Sequence, residues 1–278
     1  MMVKFIGRIL GSIVFVWLLI CVAVFALQDG MIFHNVSDER SREFLQGRQG
    51  FTEIAFTTES GRTYHGMMYH ASDEIAPLII YFGGNGEVSH RHMRVREMSG
   101  QWEYFSGHHY LFIDYRGYGL NDGRPNYRNM YEQALFVFDF AASLPNVDET
   151  QIVVMGFSLG TSPAVHLAAS RPVAGLIVVA PFANGYDLFN NVIPMFRGPM
   201  RFLVRQKFPS DEYAPYVTSP VLVIASHRDE IVPFSSSEQL AGLFSGEVDF
   251  MTLYHARHND IFQSNHVFDR IKSFLESL

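Results

Sequence analysis

Gln151-Ile152-Val153-Val154-Met155-Gly156-Phe157-Ser158-Leu159-Gly160-Thr161 is the stretch from which the rest of the chain is read. An unbroken apolar run, Ile152 to Met155, meets Gly156-Phe157-Ser158-Leu159-Gly160 and then the small residues Ser162 and Ala164 of a helix-like segment. A strand that turns at once into a helix across Gly-x-Ser-x-Gly places the serine on a tight, strained bend with its hydroxyl exposed at the end of the sheet. The two glycines let the backbone bend and the helix approach closely. Ser158 is therefore the candidate nucleophile, and Leu159 N–H, the next amide along, is a candidate oxyanion donor.

A serine hydroxyl attacks poorly unless a base removes its proton and a carboxylate orients that base. Val221–Ala225 is a second apolar run, followed by Ser226-His227-Arg228-Asp229-Glu230-Ile231-Val232-Pro233, which puts Asp229 in the loop at a strand's C-terminal end. Phe250–Tyr254 is a third, followed by His255-Ala256-Arg257-His258-Asn259-Asp260, which offers His258 or His255 as base. The chain order Ser, Asp, His is the one that accompanies a serine on this kind of bend. A second oxyanion donor is expected after the run Leu78–Phe82, where Gly83-Gly84-Asn85-Gly86-Glu87 lets backbone come close to a substrate, and Asn85 N–H is the candidate. The same loop could hold phosphate, but no Lys-Ser or Lys-Thr pair follows it and no Gly-x-Gly-x-x-Gly spacing is present.

The remaining pattern describes a largely parallel sheet covered on both faces. Tyr110–Ile113 and Leu176–Ala180 complete a series of solid apolar runs, and helical patterns such as Tyr131, Ala134, Leu135, Phe138 and Ala141–Ala142 lie between them. Phe51 to His70 reads as an antiparallel hairpin around Glu59-Ser60-Gly61-Arg62, and Val267, Ile271, Phe274 and Leu275 as one face of a C-terminal helix. Between Pro181 and Pro220 there is no strand pattern. This interval is expected to form a short helical cap, about residues 182–216, over the active-site end; an ordinary crossover helix is the alternative. Phe157 beside the serine and Phe189, Met195 and Phe196 in the interval are the candidate substrate-binding residues.

Ile9 to Leu27 carries no charge and is bracketed by Arg8 and Asp29, long enough at about 1.5 Å per residue to cross most of a bilayer core. It is expected to be an uncleaved membrane anchor, although Val24-Phe25-Ala26 could serve as a signal cleavage site. Lys4 and Arg8 favour a cytoplasmic N-terminus and an exported domain. The chain thus divides into residues 1–30, anchor with short cytoplasmic flank, and residues 31–278, a catalytic domain. A net charge of -7 gives no general attraction to nucleic acid, and the single cysteine, Cys21, excludes a disulfide and a thiolate metal cluster from the domain. Twelve histidines, among them His90, His92, His108 and His109, lack metal-ligand spacing, so no metal is expected.

Taken together, these residues resemble the α/β-hydrolases and, within them, the membrane-anchored Bem46-like serine hydrolases. The resemblance runs from Met31-Ile32-Phe33-His34 through Phe82-Gly83-Gly84-Asn85-Gly86, Asp114-Tyr115-Arg116-Gly117-Tyr118-Gly119, the serine bend and Asp229 with Val232-Pro233 to His258-Asn259-Asp260. It implies an eight-stranded hydrolase sheet, no cofactor, Ser158, Asp229 and His258 as triad, and Asn85 and Leu159 as oxyanion hole; it favours His258 over His255. The family's loop usually begins His-Gly-Asn, whereas Gly83 stands here in the place of the histidine. The Asp114–Gly119 stretch is shared but structural, with Arg116 a loop organiser. The expected activity is hydrolysis of an ester or thioester of a small or lipid-like acyl group, with amide hydrolysis or a catalytically silent membrane-tethered scaffold as the alternatives.

Overall fold

A computed structural model describes residues 2–105, 107–192 and 198–278, with side chains from residue 5 onward apart from 106 and 192–200. Its centre is an eight-stranded sheet in the order β1-β2-β4-β3-β5-β6-β7-β8. The strands are β1 (Phe51–Thr57), β2 (Thr63–Tyr69), β3 (Ala76–Phe82), β4 (His109–Ile113), β5 (Val147–Phe157), β6 (Gly175–Val179), β7 (Val221–Ser226) and β8 (Val248–Leu253). β1 and β2 form the expected hairpin, β2 runs antiparallel to β4, and every other pairing is parallel. Each apolar run read from the sequence is a strand.

Alternation along these strands divides the core in two. Leu78, Ile80 and Phe82 of β3, with Ile152 and Val154 of β5, pack with α4 (Tyr127–Ala142) and α5 (Thr161–Ala168). Ile79 and Tyr81, with Val153 and Met155, face Met93 of α3 (Ser89–Met98) and Val267, Phe268 and Ile271 of α9 (Asn265–Leu275). Strands covered on both faces have no polar side to show, which is why their sequences are solidly apolar. Between β6 and β7 the described residues form helices only: α6 (Gly185–Val192), a 3-10 segment Gly198–Leu203, α7 (Ser210–Tyr213) and a short 3-10 turn, Ala214–Tyr216. The remaining helices are α2 (Glu39–Leu45) and α8 (Phe234–Ala241).

The N-terminal helix α1 (Met2–Ile32) contains a candidate membrane span over Phe5–Ile32, almost all of it outside the domain. Its contact stripe begins late, at Cys21, Val24, Gln28 and Ile32, a three- and four-residue spacing that keeps one face on the domain. Gln28 is fully buried; its Nε2 donates to Leu203 O at 2.9 Å and its Oε1 accepts from Arg205 N at 2.8 Å. Asp29 accepts from Gln206 Nε2 at 2.7 Å.

Asp114, just beyond β4, ties the sheet to the helix that follows the β3 loop. α3 has no cap from its own Val88, and Asp114 supplies one from a distance, its Oδ1 accepting from Ser89 N at 2.6 Å and its Oδ2 from Ser89 Oγ at 2.9 Å. Complete burial nevertheless raises its pKa from 3.8 to about 7, the two Ser89 hydrogen bonds opposing the shift without cancelling it. The native state therefore keeps a proton that the unfolded chain has released, and this group costs stability progressively as pH rises from about 4 to 7. The unfolding midpoint of the wild type relative to Asp114→Asn is expected to fall between pH 4 and pH 7 and to stay level above pH 7, as read by thermal melts across that range.

Candidate active site

The bend after β5 is as tight as its sequence requires. Ser158 has φ of 50°, a left-handed conformation that a residue with a Cβ adopts only under constraint. A Cβ on Gly160 would overlap the Phe82 carbonyl oxygen, and one on Gly156 would sit 2.5 Å from Gly160 O and 2.7 Å from Thr161 Cα. Thr161 Oγ1 closes the turn by donating to Ser158 O at 2.7 Å. Both glycines are thus demanded by backbone against backbone, where nothing can move aside.

The bend delivers Ser158 to its partners. His258 Nε2 lies 2.8 Å from Ser158 Oγ, and His258 Nδ1 lies 2.7 Å from Asp229 Oδ2. A carboxylate only accepts, so Nδ1 carries the proton and Nε2 is left to accept from the serine hydroxyl. Asp229 is aimed by its own backbone: Oδ1 accepts from Ile231 N and Val232 N, both at 2.8 Å, which leaves Oδ2 for the histidine. The side chains of Asp229 and His258 are 2% and 6% exposed, so the pair is shielded from water. His255, the other histidine of the loop, is exposed.

Glu230 has a role that its sequence position did not reveal. Its Oε2 accepts from His258 N at 3.2 Å and its Oε1 from Arg257 Nη2 at 3.0 Å, which couples the Asp229 loop to the His258 loop. Backbone N–H groups, its own first and that of His258 next, hold its carboxyl below the ordinary value. Asn191 of α6 joins the same corner by donating to Glu230 O and Ile231 O, both at 3.0 Å.

The loop after β3 lies against the serine. Gly84 packs against Phe157 and Ser158, where an added Cβ would come within 3.0 Å of the phenyl ring. A side chain at Gly83 is impossible without rearrangement, because its Cβ would be 2.5 Å from Phe112 Cζ and 3.0 Å from Glu87 Oε2. Glu87 thus occupies the space where a residue-83 side chain would lie, and it does so with purpose: Oε2 accepts from Gly84 N at 2.8 Å and from Tyr81 Oη at 3.0 Å. Its Oε1 accepts from His92 Nδ1 at 2.6 Å, and His92 Nε2 meets Tyr110 Oη at 3.0 Å. Burial alone would raise the Glu87 carboxyl; the His92 ring and the Gly84 N–H outweigh it and hold it below its ordinary value. Gly84 N–H is thus committed to Glu87.

Two tyrosines of the Asp114–Gly119 turn also reach this loop, so the turn does more than close a strand. Tyr115 Oη donates to Gly83 O at 2.9 Å, and Tyr118 Oη donates to Asn85 Oδ1 at 2.8 Å. Arg116 organises the turn as expected, with Tyr64 at 3.0 Å and Glu132 at 2.7 Å. Glu87, His92, Tyr115 and Tyr118 carry no motif of their own; a signal was available only in their closeness in sequence to Gly83–Asn85 and Asp114.

Of the four candidate substrate-binding residues, Phe157 is half-buried and stacked on the His258 ring at 5.1 Å, with Phe262 at its edge. Phe189 is buried in the core cluster beside Phe208, 6.3 Å between centroids. Met195 and Phe196 lie outside the described residues.

The alpha/beta hydrolase family matches residues 84–251, more than half of the chain. The chain belongs to that family. The match takes in Ser158 and Asp229 and stops short of His258, whose place beside them comes from the geometry above. An uncharacterized protein of Mycobacterium tuberculosis is 31% identical over 227 residues, 80% of this chain and 78% of the relative. The alpha/beta hydrolase domain-containing protein aho-3 of Caenorhabditis elegans is 30% identical over 163 residues, 59% of this chain and 47% of that protein. Among solved structures, an esterase of Pyrococcus furiosus superposes with a TM-score of 0.69 at 16% identity, over 88% of this chain and 98% of that one. An acetyl xylan esterase from Paenibacillus does so with a TM-score of 0.64 at 15% identity, over 91% and 98%. At such identities the likeness shows the hydrolase fold.

Because the Phe82 carbonyl fills the only space a Gly160 Cβ could take, Gly160→Ala is expected to cost on the order of 4 kcal/mol, the range of severe backbone clashes. The measurement is the thermal midpoint, and a fall of less than about 2 °C would contradict the obligate close approach.

Proposed function

We propose that this chain is a serine hydrolase that cleaves an ester or thioester of an apolar acyl group through an acyl-enzyme on Ser158. The observation that carries this reading is the continuous hydrogen-bonded line Asp229–His258–Ser158, ending on a serine with φ of 50°. In the first half-reaction His258 Nε2 takes the Ser158 proton as Oγ bonds to the substrate carbonyl carbon. The carbonyl oxygen becomes an oxyanion, held by the N–H groups of Leu159 and Asn85, and Asp229 stabilises the imidazolium. Collapse expels the alcohol or thiol, which leaves with the proton from His258. Water repeats the sequence on the acyl-enzyme, releasing the acid and restoring the serine.

An apolar acyl substrate fits the phenyl ring of Phe157 beside the catalytic histidine and the aromatic and methionine content of the interval 182–216, read as a short cap. Helix α1 is read as an uncleaved anchor, crossing the membrane with Lys4 and Arg8 on the cytoplasmic side and the domain, residues 31–278, on the exported side.

The test is labelling of the full chain in detergent with a fluorescent fluorophosphonate, followed by hydrolysis of nitrophenyl esters of increasing acyl length, an acyl thioester and an anilide. Wild type is expected to label, and Ser158→Ala and His258→Ala are not. kcat on the preferred ester is expected to fall about 10⁴-fold or more in either variant and roughly 10³- to 10⁴-fold in Asp229→Asn. A folded wild type that does not label would overturn the proposal, and turnover confined to the anilide would move the substrate class to amides.

A further inference from the structure

The exit of helix α1 runs directly over the loop that follows β3. Asn85 is the exposed residue of an otherwise buried or half-buried loop, and its side-chain amide uses both of its faces on that junction. Nδ2 donates to Ile32 O at 2.6 Å and lies 3.3 Å from His34 Nδ1; Oδ1 accepts from His34 N at 3.0 Å and from Tyr118 Oη at 2.8 Å. Pairing one amide with the carbonyl of residue 32 and the N–H of residue 34 copies the way one strand pairs with the next. Beyond this, Val36 O accepts from Gly119 N at 2.8 Å, and Gly86 lies beside His34, where an added Cβ would be in ordinary contact with His34 Cβ at 3.6 Å.

On its other side, the last turns of α1 are sewn to residues 203–206 through the Gln28 and Asp29 hydrogen bonds. Gln206 in turn accepts from Tyr127 N, the first amide of α4, at 2.9 Å. The end of α1 is thus a cross-member between the loop after β3 and the segment that leads into β7.

Tyr115 fixes the Gly83 carbonyl, the Glu87 carboxylate fixes the Gly84 N–H, and Glu87 N–H donates to Gly84 O at 3.2 Å; these bonds hold the peptide between Gly84 and Asn85 from its glycine side, and on the Asn85 side the grip comes from the Asn85 side chain. We infer that the Asn85 side chain is a positioning group, clamped to the Ile32–His34 exit of the apolar helix, and that this clamp aims the Asn85 N–H at the substrate oxyanion, so that turnover depends on the seating of α1. The inference rests on the hydrolase reading above. It adds that the helix end is a structural part of the oxyanion hole and not only a tether.

The experiment compares wild type, Asn85→Ala and Asn85→Asp as full chains in detergent. It reads kcat and KM on a short nitrophenyl ester, the thermal midpoint, and hydrogen exchange of peptides covering residues 31–36 and 82–88. Alanine keeps the backbone N–H and removes the clamp. Aspartate keeps an acceptor for Tyr118 and for His34 N–H, but sets an oxygen against Ile32 O. Both variants are expected to lose roughly 10- to 100-fold in kcat with KM within about 3-fold, the scale of a misplaced oxyanion donor. Exchange should rise in both peptides while the thermal midpoint stays within a few degrees. Near-wild-type kcat in Asn85→Asp would show that the link to Ile32 is dispensable and overturn the inference, as would unchanged exchange at residues 31–36 in Asn85→Ala. Should Asn85→Ala not fold, Asn85→Asp alone decides the matter. A wild type without turnover would overturn the hydrolase reading itself, whereas a wild type that turns over beside variants of equal kcat would overturn the clamp alone.

Discussion

The left-handed backbone of Ser158 is the constraint on which the rest of the site depends. A residue in that conformation is held there at a cost of order 1–3 kcal/mol, so its surroundings must over-determine it. They do: Gly156 and Gly160 allow β5, β3 and α5 to meet without a side chain between them, and Thr161 ties off the turn. The same close approach brings the loop after β3 against the serine. A looser bend would separate Ser158 from both His258 and the loop after β3.

Around this bend, the chemistry is distributed over loops that are braced by one another more than by the sheet. Asp229 is aimed by two amides of its own loop, and Glu230 reaches across to the amide of His258. Glu87 fixes Gly84, Tyr115 fixes Gly83, and Asn85 is gripped from two sides by Tyr118 and the α1 exit. A preorganised arrangement of this kind stabilises developing charge without reorganising during the reaction.

What was legible in the sequence follows from this division. The central strands β3 to β7 are visible because burial on both faces leaves each an apolar run, the β1–β2 hairpin because of its turn residues, and the serine bend because its glycines are imposed by contact between backbones. Ser158 and Asp229 could be placed because each follows a strand, and the base narrowed to His255 or His258 in the same way, the choice of His258 coming from the family resemblance. The braces could not: Glu87 reads as an ordinary loop acid, His92 as one of twelve histidines, and Tyr118 as part of a turn. Their meaning arises only when β3 and β4 lie side by side and bring the two loops together. Phe189 illustrates the opposite case, an aromatic residue whose composition suggests a pocket wall and whose position is core.

With α1 as the proposed anchor, the late start of its contact stripe would set how deep the domain sits. Among the described side chains of α1, those from Phe5 to Ile20 are exposed without interruption, and those sixteen residues rise about 24 Å, short of a typical hydrocarbon core of about 30 Å. A helix that short meets the mismatch either by thinning the lipid around it or by drawing its load toward the bilayer. Cys21, Val24 and Gln28 would then lie at the level of the lipid headgroups, and Leu203 to Arg205, pinned to them, would be drawn to the same depth. The exposed ring of Phe202 and the cation of Arg205 are the two chemistries suited to that boundary, one toward acyl chains and the other toward phosphates. The domain would be moored flush with the surface, with no slack in the mooring line.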